Sequence, residues 1–555
     1  MDTRYVAAVP TAASHTHDVR DGSDVLNELA KRRIATEVRS HEQESLRLRS
    51  LLNTHAPVNR KLPPEILSLI FVHYAAIFQH KQFARFSVAT FQEPDKYAHK
   101  QIYTWLRVAH VCRHWREVAL QCASLWSFLV IDERVPGDVI KTFLGRSQGM
   151  PLTVIAHAVH QDWHCNTCVR AEDAFANLNA GAAVLEEAIK RATKLNLYLW
   201  HVNYAAFWNR LRGSASRLTS LHIEAVEDDR YQDYLHRGRP PVDVPKYLFN
   251  EHRPSLHSLT FTGIGLAWSN VLICASVRML TIVACVTYSD SGIAADVGDL
   301  LGALRCMPNL EVFAIDGMSL PQSEFTQYDL VDLPHLQRLR VPFAQQNSLR
   351  LVLHLRLPHD AMIYFTGRET AAHNPDFIAW CTEGISHLMG GLQAYAMAYN
   401  DHREARNFRL WARAPQRPAP SAPPDASSGA DLDEDPAWEE VAAMQPRFRF
   451  NCSLASGLIQ GLFAGLDTQH FRVLSITQNY LNQRGWLDVF TPLTAVRTLR
   501  IQGLGACGLN TVLAHWKNPA EMNQAVDDGH ANHPHDFVGF GELLDGNGVA
   551  GHAQD

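Results

Sequence analysis

The sequence predicts an α+β protein in which a small helical bundle precedes an irregular domain of repeated α/β units. Three observations carry that expectation. Leu62 to Phe78, LPPEILSLIFVHYAAIF, has the pattern of a helix that is apolar on almost every side. A second helix-period segment, TWLRVAHVCRHWREVALQCASLW, follows from Thr104. Beyond residue 190 a phrase of the form L-x-x-L-x-I recurs in short strand-like runs.

Length and composition set the frame. A chain of 555 residues exceeds one compact core, and length alone predicts roughly three or four domains, fewer if part of it is a repeat array. Hydrophobic residues at 46% and charged residues at 19% are globular proportions. A net charge of −6 gives no chain-wide attraction to nucleic acid. The opening MDTRYVAAVPTAASHTHD has no apolar core of a secretory signal, and no run of about 18 apolar residues predicts a membrane span. The Cys count of 10 in such a chain predicts reduced thiols, hence an intracellular protein, cytoplasmic or nuclear.

Taken in order, residues 1–23 are expected to be disordered. Residues 24–56 lack Pro and Gly and intersperse Leu, Ile and Val among charges, which predicts a long amphipathic helix without a strict heptad. Pro57 ends it. A second helix is expected from the Pro63-Pro64 pair, because a proline at the first helical position loses only an N–H that would be unpaired anyway. Glu65 in the first turn complements the helix dipole. Ile66, Leu67, Ile70, Phe71, Tyr74 and Phe78 form one broad stripe, and Leu69, Val72, Ala75 and Ala76 fill most of the rest. A helix apolar all round is buried on more than one side. From Thr104, the residues Trp105, Val108, Cys112, Trp115, Ala119 and Cys122 keep the spacing of one helix face. Residues 57–135 are therefore expected to form one helical domain, with a spacer over 79–103. It carries more apolar surface than so few helices bury among themselves, and either a protein partner or the downstream domain must cover the surplus.

The repeat units are RLTSLHI, PSLHSLTF, SVRMLTI, PNLEVFAI and PHLQRLRV, followed after a break by HFRVLSI and AVRTLRI. Their first apolar residues Leu218, Leu256, Val277, Leu310 and Leu336 lie 38, 21, 33 and 26 residues apart. Such recurrence marks stacked strand-plus-helix units that bury their leucines against one another. The irregular period makes them degenerate leucine-rich repeats, expected over 136–411 and again over 448–515. An ordinary α/β domain is the alternative. Between them the Pro-, Ala- and Ser-rich, then acidic, stretch 412–447 has the composition of a disordered insertion, and the His- and Gly-rich residues 516–555 that of a flexible tail.

Three short motifs invite a catalytic or metal reading. Gly145-Arg146-Ser147-Gln148-Gly149 fits G-x-S-x-G, but a nucleophile elbow runs strand, turn, helix, and here a helical VIKTFL precedes and a strand-like PLTVIAHAV follows. Gly503-Leu504-Gly505-Ala506-Cys507-Gly508 fits G-x-G-x-x-G, yet the second strand of a dinucleotide unit has no signature downstream. Cys165 and Cys168 form a lone C-x-x-C with His157 and His160 loosely placed. No catalytic residues, metal site or cofactor are expected.

The helical segment resembles an F-box, of the F-box-like type found in the large fungal F-box families. The matching residues are Leu62-Pro63-Pro64-Glu65-Ile66-Leu67 with Ile70-Phe71, then Val111-Cys112-Arg113-His114-Trp115-Arg116 with Ala119, then Ser124-Leu125-Trp126. LRSLLNTHAPVNR, GRSQGMPLTVIAH and LRLPHD are also similar to what such proteins carry. The resemblance covers about residues 45–160. It implies docking on a Skp-type adaptor of a cullin–RING ubiquitin ligase, with repeats that hold a protein substrate. It also implies that Leu62, Pro63, Ile66, Leu67, Ile70 and Phe71 face the adaptor, while Val111, Cys112 and Trp115 share core and interface. The spacer at 79–103 is longer than a short F-box has. An interaction scaffold without a ligase, or a nucleotide-binding enzyme built on the Gly503 loop, are the other readings.

Overall fold

The computed structural model describes residues 22–86, 103–132, 135–158, 171–199, 204–225, 243–249, 254–283, 287–288, 296–316, 328–342, 351–366, 383–389, 391–402, 405–413, 446–451, 463, 466–477 and 491–502. The chain mixes helix and strand and divides into two compact units, with a break after Leu125.

The first unit is helical. α1 (Gly22–His55) and the single turn of α2 (Pro57–Lys61) precede α3 (Pro64–Phe86). Pro64 opens α3, as the proline rule requires, and α3 runs on into the predicted spacer, whose residues 87–102 lie outside those described. The expected single helix from Thr104 is not one element. A 3₁₀ helix (Thr104–His110) gives way to α4 (Arg113–Gln121), and a second 3₁₀ turn covers Ala123–Trp126. The physical reason lies at Cys112. Its backbone is extended (φ −156°, ψ 174°), and its thiol caps α4 by accepting the N–H of Trp115 at 3.5 Å. The periodic spacing survives the break because the capped turn returns the chain to the same side.

The second unit opens with β1 (Phe128–Asp132), α5 (Gly137–Arg146), β2 (Leu152–Ala158), α6 (Ala171–Ala188), β3 (Ala192–Leu199), α7 (Tyr204–Arg210) and β4 (Ser220–Ala225). β5 (Ser258–Thr262), β6 (Leu266–Ala267), β7 (Met279–Val283), β8 (Thr287–Tyr288), α8 (Val297–Arg305) and β9 (Val312–Asp316) follow. Then come β10 (Val331–Asp332), β11 (Arg338–Pro342), β12 (Leu355–Arg356) and β13 (Met362–Thr366). The remaining strands are β14 (Gln393–His402), β15 (Ala405–Arg413), β16 (Phe448–Asn451), β17 (Val473–Thr477) and β18 (Thr498–Gln502).

A 14-stranded sheet takes the order β1-β2-β3-β4-β5-β7-β9-β11-β13-β16-β15-β14-β17-β18. Every neighbouring pair is parallel except those made by β15. The recurring phrases are its strands: RLTSLHI supplies β4, PSLHSLTF β5, SVRMLTI β7, PNLEVFAI β9, PHLQRLRV β11, HFRVLSI β17 and AVRTLRI β18. Their central apolar residues stand in register, so that Leu221, Leu259, Leu280, Phe313, Leu339 and Ile363 are successive partners and all are buried. Period-two alternation sends these side chains to one face and the intervening residues to the other. Where each strand begins the ladder already holds, with N–H groups of His257, Arg278, Glu311, Gln337 and Met362 donating to the carbonyls of Thr219, His257, Arg278, Glu311 and Gln337.

Helices cover the apolar face where connections are long enough. α5 and α6 lie so close to each other and to β1 that a Cβ on Gly181 would collide with Ile131. α8 is closed by a capping box in which Asp296 accepts the N–H of Asp299 at 2.7 Å. β15 ends at Arg413, and after residues 414–445, which lie outside those described, β16 slots between β13 and β15. Arg447 anchors its entry. Buried beside that strand, its guanidinium donates to the carbonyls of Pro358 (2.8 Å), Ala361 and Leu388 (3.1 Å). Burial lowers its pKa to about 10. Among the described residues no helix is long and apolar enough to cross a membrane.

Candidate protein-docking face

α3 is where packing and exposure part company. Leu67 and Phe71, each 1% exposed, point inward with Ala75, one helical turn apart. Phe71 packs against the Trp115 indole, ring centroids 5.1 Å apart. Turned away from them, Ile66 (44% exposed), Leu69 (55%), Ile70 (45%) and Ile77 (56%) stand at the surface. The single broad stripe that spacing predicted is thus two stripes, and Leu69 and Ile77 join the outer one. Ile66, Ile70 and Ile77 recur at i, i+4 and i+11, which marks a second apolar face once the inner series is subtracted.

The other expected docking residues divide similarly. Pro63 is exposed and Leu62 half-buried, Val111 is 56% exposed, and Cys112 and Trp115 are half-buried. Cys112 and Trp115 are occupied with structure. Trp115 Nε1 donates to Asn59 Oδ1 at 2.7 Å, and Asn59 Nδ2 donates to the Asn53 carbonyl at 2.6 Å. Arg116 Nε donates to the Ala109 carbonyl at 3.0 Å, which ties α4 back to the preceding 3₁₀ helix. Asn59 was not singled out by sequence. Its signal is faint: a polar residue in a helix too short to bury anything must hold something else.

Ser147 of the G-x-S-x-G match sits in a helix–turn–strand context, between α5 and β2, with Gln148 (φ 46°) and Gly149 (φ 81°) making the turn. Its buried hydroxyl donates to the Leu144 carbonyl at 2.7 Å and accepts from Arg191 Nη2 at 2.7 Å. It is a helix cap. Cys165, Cys168, His160 and the Gly503–Gly508 loop lie outside the described residues. Among the described residues no group of three His, Cys, Asp or Glu could hold a metal.

The sheet assembles one polar group that spacing did not foretell. Asp132, His157, Tyr198 and Glu224 are successive partners at the ends of β1 to β4, all buried. Asp132 Oδ2 lies 3.1 Å from His157 Nδ1, and Glu224 Oε2 lies 3.0 Å from His222 Nε2. Burial, with Glu224 beside it, raises the Tyr198 hydroxyl pKa far above its ordinary value. The sequence signal is a titratable residue closing each apolar run, FLVID, LTVIAHA and LHIEA. Buried, and tied across β1 and β2 by the Asp132–His157 bond, these groups fix strand register, since a slip by one residue would strand them against the apolar face.

No protein-family model matches the chain, and no curated protein matches it.

Proposed function

We propose that this protein is the substrate-recognition subunit of a Skp–cullin–F-box ubiquitin ligase, intracellular and non-catalytic. The observation that carries the reading is the outer stripe of α3, where Ile66, Leu69, Ile70 and Ile77 stay exposed on the helix whose sequence resembles an F-box. Ile and Leu side chains left at a surface along one helical face are docking chemistry for another helix. The parallel, in-register strands drawn from the recurring phrase support the companion reading, an irregular leucine-rich-repeat-like solenoid whose polar sheet face holds the substrate. The protein itself performs no bond chemistry. It raises the effective concentration of substrate lysines near a ubiquitin-charged enzyme.

Copurification of the full chain with a Skp-type adaptor tests this. Ile66→Asp with Ile70→Asp changes only exposed residues, so it should abolish adaptor binding with little loss of melting temperature. Leu67 and Phe71 are unsuitable probes because an aspartate there unfolds the bundle. No binding by the wild type, or binding untouched by the double substitution, sinks the ligase reading and leaves the scaffold alternative.

A further inference from the structure

Over β3, β4, β5, β7, β9 and β11 the two faces of the sheet differ in cover. Leu195, Leu221, Leu259, Leu280, Phe313 and Leu339 on one face are all buried. Their chain neighbours on the reverse face, Lys194, Ser220, Ser258, Met279, Val312 and Arg338, are successive partners in register, and none is buried. This row has a cation at each end and small or apolar side chains between. Lys194 and Arg338 are exposed, and neither makes an ion pair among the described residues. The carboxylates on these strands, or directly preceding one, are already engaged: Glu224 lies 3.0 Å from His222, Glu311 3.0 Å from Arg278 and Asp316 2.6 Å from Arg340. In mid-row Met279, a large apolar side chain, is 44% exposed. Around it the hydroxyls of Ser220 and Ser258, and those of Thr260 and Thr281 in the next row, hold no hydrogen bond to another described residue.

Hydroxyls both donate and accept, and their small bulk lets another backbone come close, which suits a ligand bringing unpaired N–H and C=O groups. An extended peptide brings them; a helix has bonded its own internally. The unpaired cations call for carboxylates, and Met279 for an apolar side chain between them. We propose that this row docks an extended segment of another protein, laid across the strands, with an acidic residue at each end and an apolar residue between. This rests on the reading that the sheet holds a protein substrate, and it names that substrate's chemistry. Strands lie about 4.8 Å apart, which puts Met279 roughly 14 Å from Lys194 and roughly 10 Å from Arg338. At about 3.4 Å per residue, the segment carries an acid, an apolar residue about four positions on, and a second acid about three beyond that. A nucleic acid fits less well. Two cations some 24 Å apart, on a chain of net charge −6, do not make the basic groove with stacking rings that single strands require.

The test is fluorescence anisotropy with the full chain and a labelled peptide, Glu-Ser-Thr-Ser-Leu-Ser-Thr-Glu. It should bind, and its affinity should fall as salt screens the end charges. The double variant K194Q/R338Q changes only exposed residues, so it should bind about fivefold more weakly with its melting temperature maintained. Met279→Ser should weaken this peptide but not a second one with Ser in place of Leu, which has already lost the contact. Absence of binding by the wild type, or equal binding by K194Q/R338Q or by Met279→Ser, overturns the proposal. So does equal binding of a peptide of the same composition whose two glutamates are adjacent, since the spacing would then count for nothing. Tighter binding of a short oligothymidylate, or a dimer in solution that K194Q/R338Q dissolves, also overturns it, because the occupant is then nucleic acid or a second copy of this chain. Adaptor copurification is read separately: if it fails while peptide binding holds, the ligase reading falls and the docking row stands.

Discussion

Asn59 joins three segments of the helical unit with one amide, accepting from Trp115, donating to the Asn53 carbonyl, and approaching the Cys112 thiol at 3.9 Å. Asn59→Ala leaves a half-buried indole N–H without its acceptor, which costs about 1–3 kcal/mol. Urea unfolding should show that loss with an unchanged slope; a loss under a few tenths would mean that water replaces the amide. Tyr198 makes a second case at this scale. Its folded pKa is raised well above that of a free phenol, by burial first and by Glu224 second. The neutral phenol is therefore the form the fold favours. Its stabilising contribution is complete below the unfolded pKa and declines as pH climbs above about 10. Tyr395, raised by burial in the same direction, adds to that decline. Urea midpoints between pH 8 and 11 should fall for the wild type and fall less for Tyr198→Phe. An identical slope for both would remove Tyr198 as a cause.

At the scale of elements, local rules read well where one force dominates. Pro64 opening α3 and the leucine phrases becoming strands both follow from residue spacing and proline chemistry, with no knowledge of neighbours required. The break at Cys112 was illegible because helix-face spacing runs unbroken through it, and only the thiol's bond to the Trp115 N–H reveals a cap. The two faces of α3 were hidden for a related reason. Leu67 and Ile66, or Phe71 and Ile70, are equally apolar, and hydrophobicity cannot say which one a neighbour covers. The same limit applies to the polar row at Asp132, His157, Tyr198 and Glu224, which exists only after four strands, distant in sequence, choose their register. Arg447 illustrates it again, since its three carbonyl acceptors come from turns and a helix far upstream.

At the scale of the whole second unit, the proposed solenoid differs from an ordinary α/β domain in how damage spreads. Core residues Leu195, Leu221, Leu259, Leu280, Phe313, Leu339 and Ile363 form one buried rung across the sheet, each touching chiefly the strand on either side. In a quasi-one-dimensional stack, stability is a sum of unit and nearest-neighbour terms. In a single cooperative core, a cavity anywhere lowers the stability of everything. Phe313 sits near the middle and is fully buried, so Phe313→Ala removes about 3–5 kcal/mol of packing. If the repeats behave as a stack, amide hydrogen exchange should accelerate in β7, β9 and β11 and remain near wild type in β2 and β3. Uniform acceleration along the whole sheet, from β1 to β18, would instead mark one cooperative domain and end the solenoid reading.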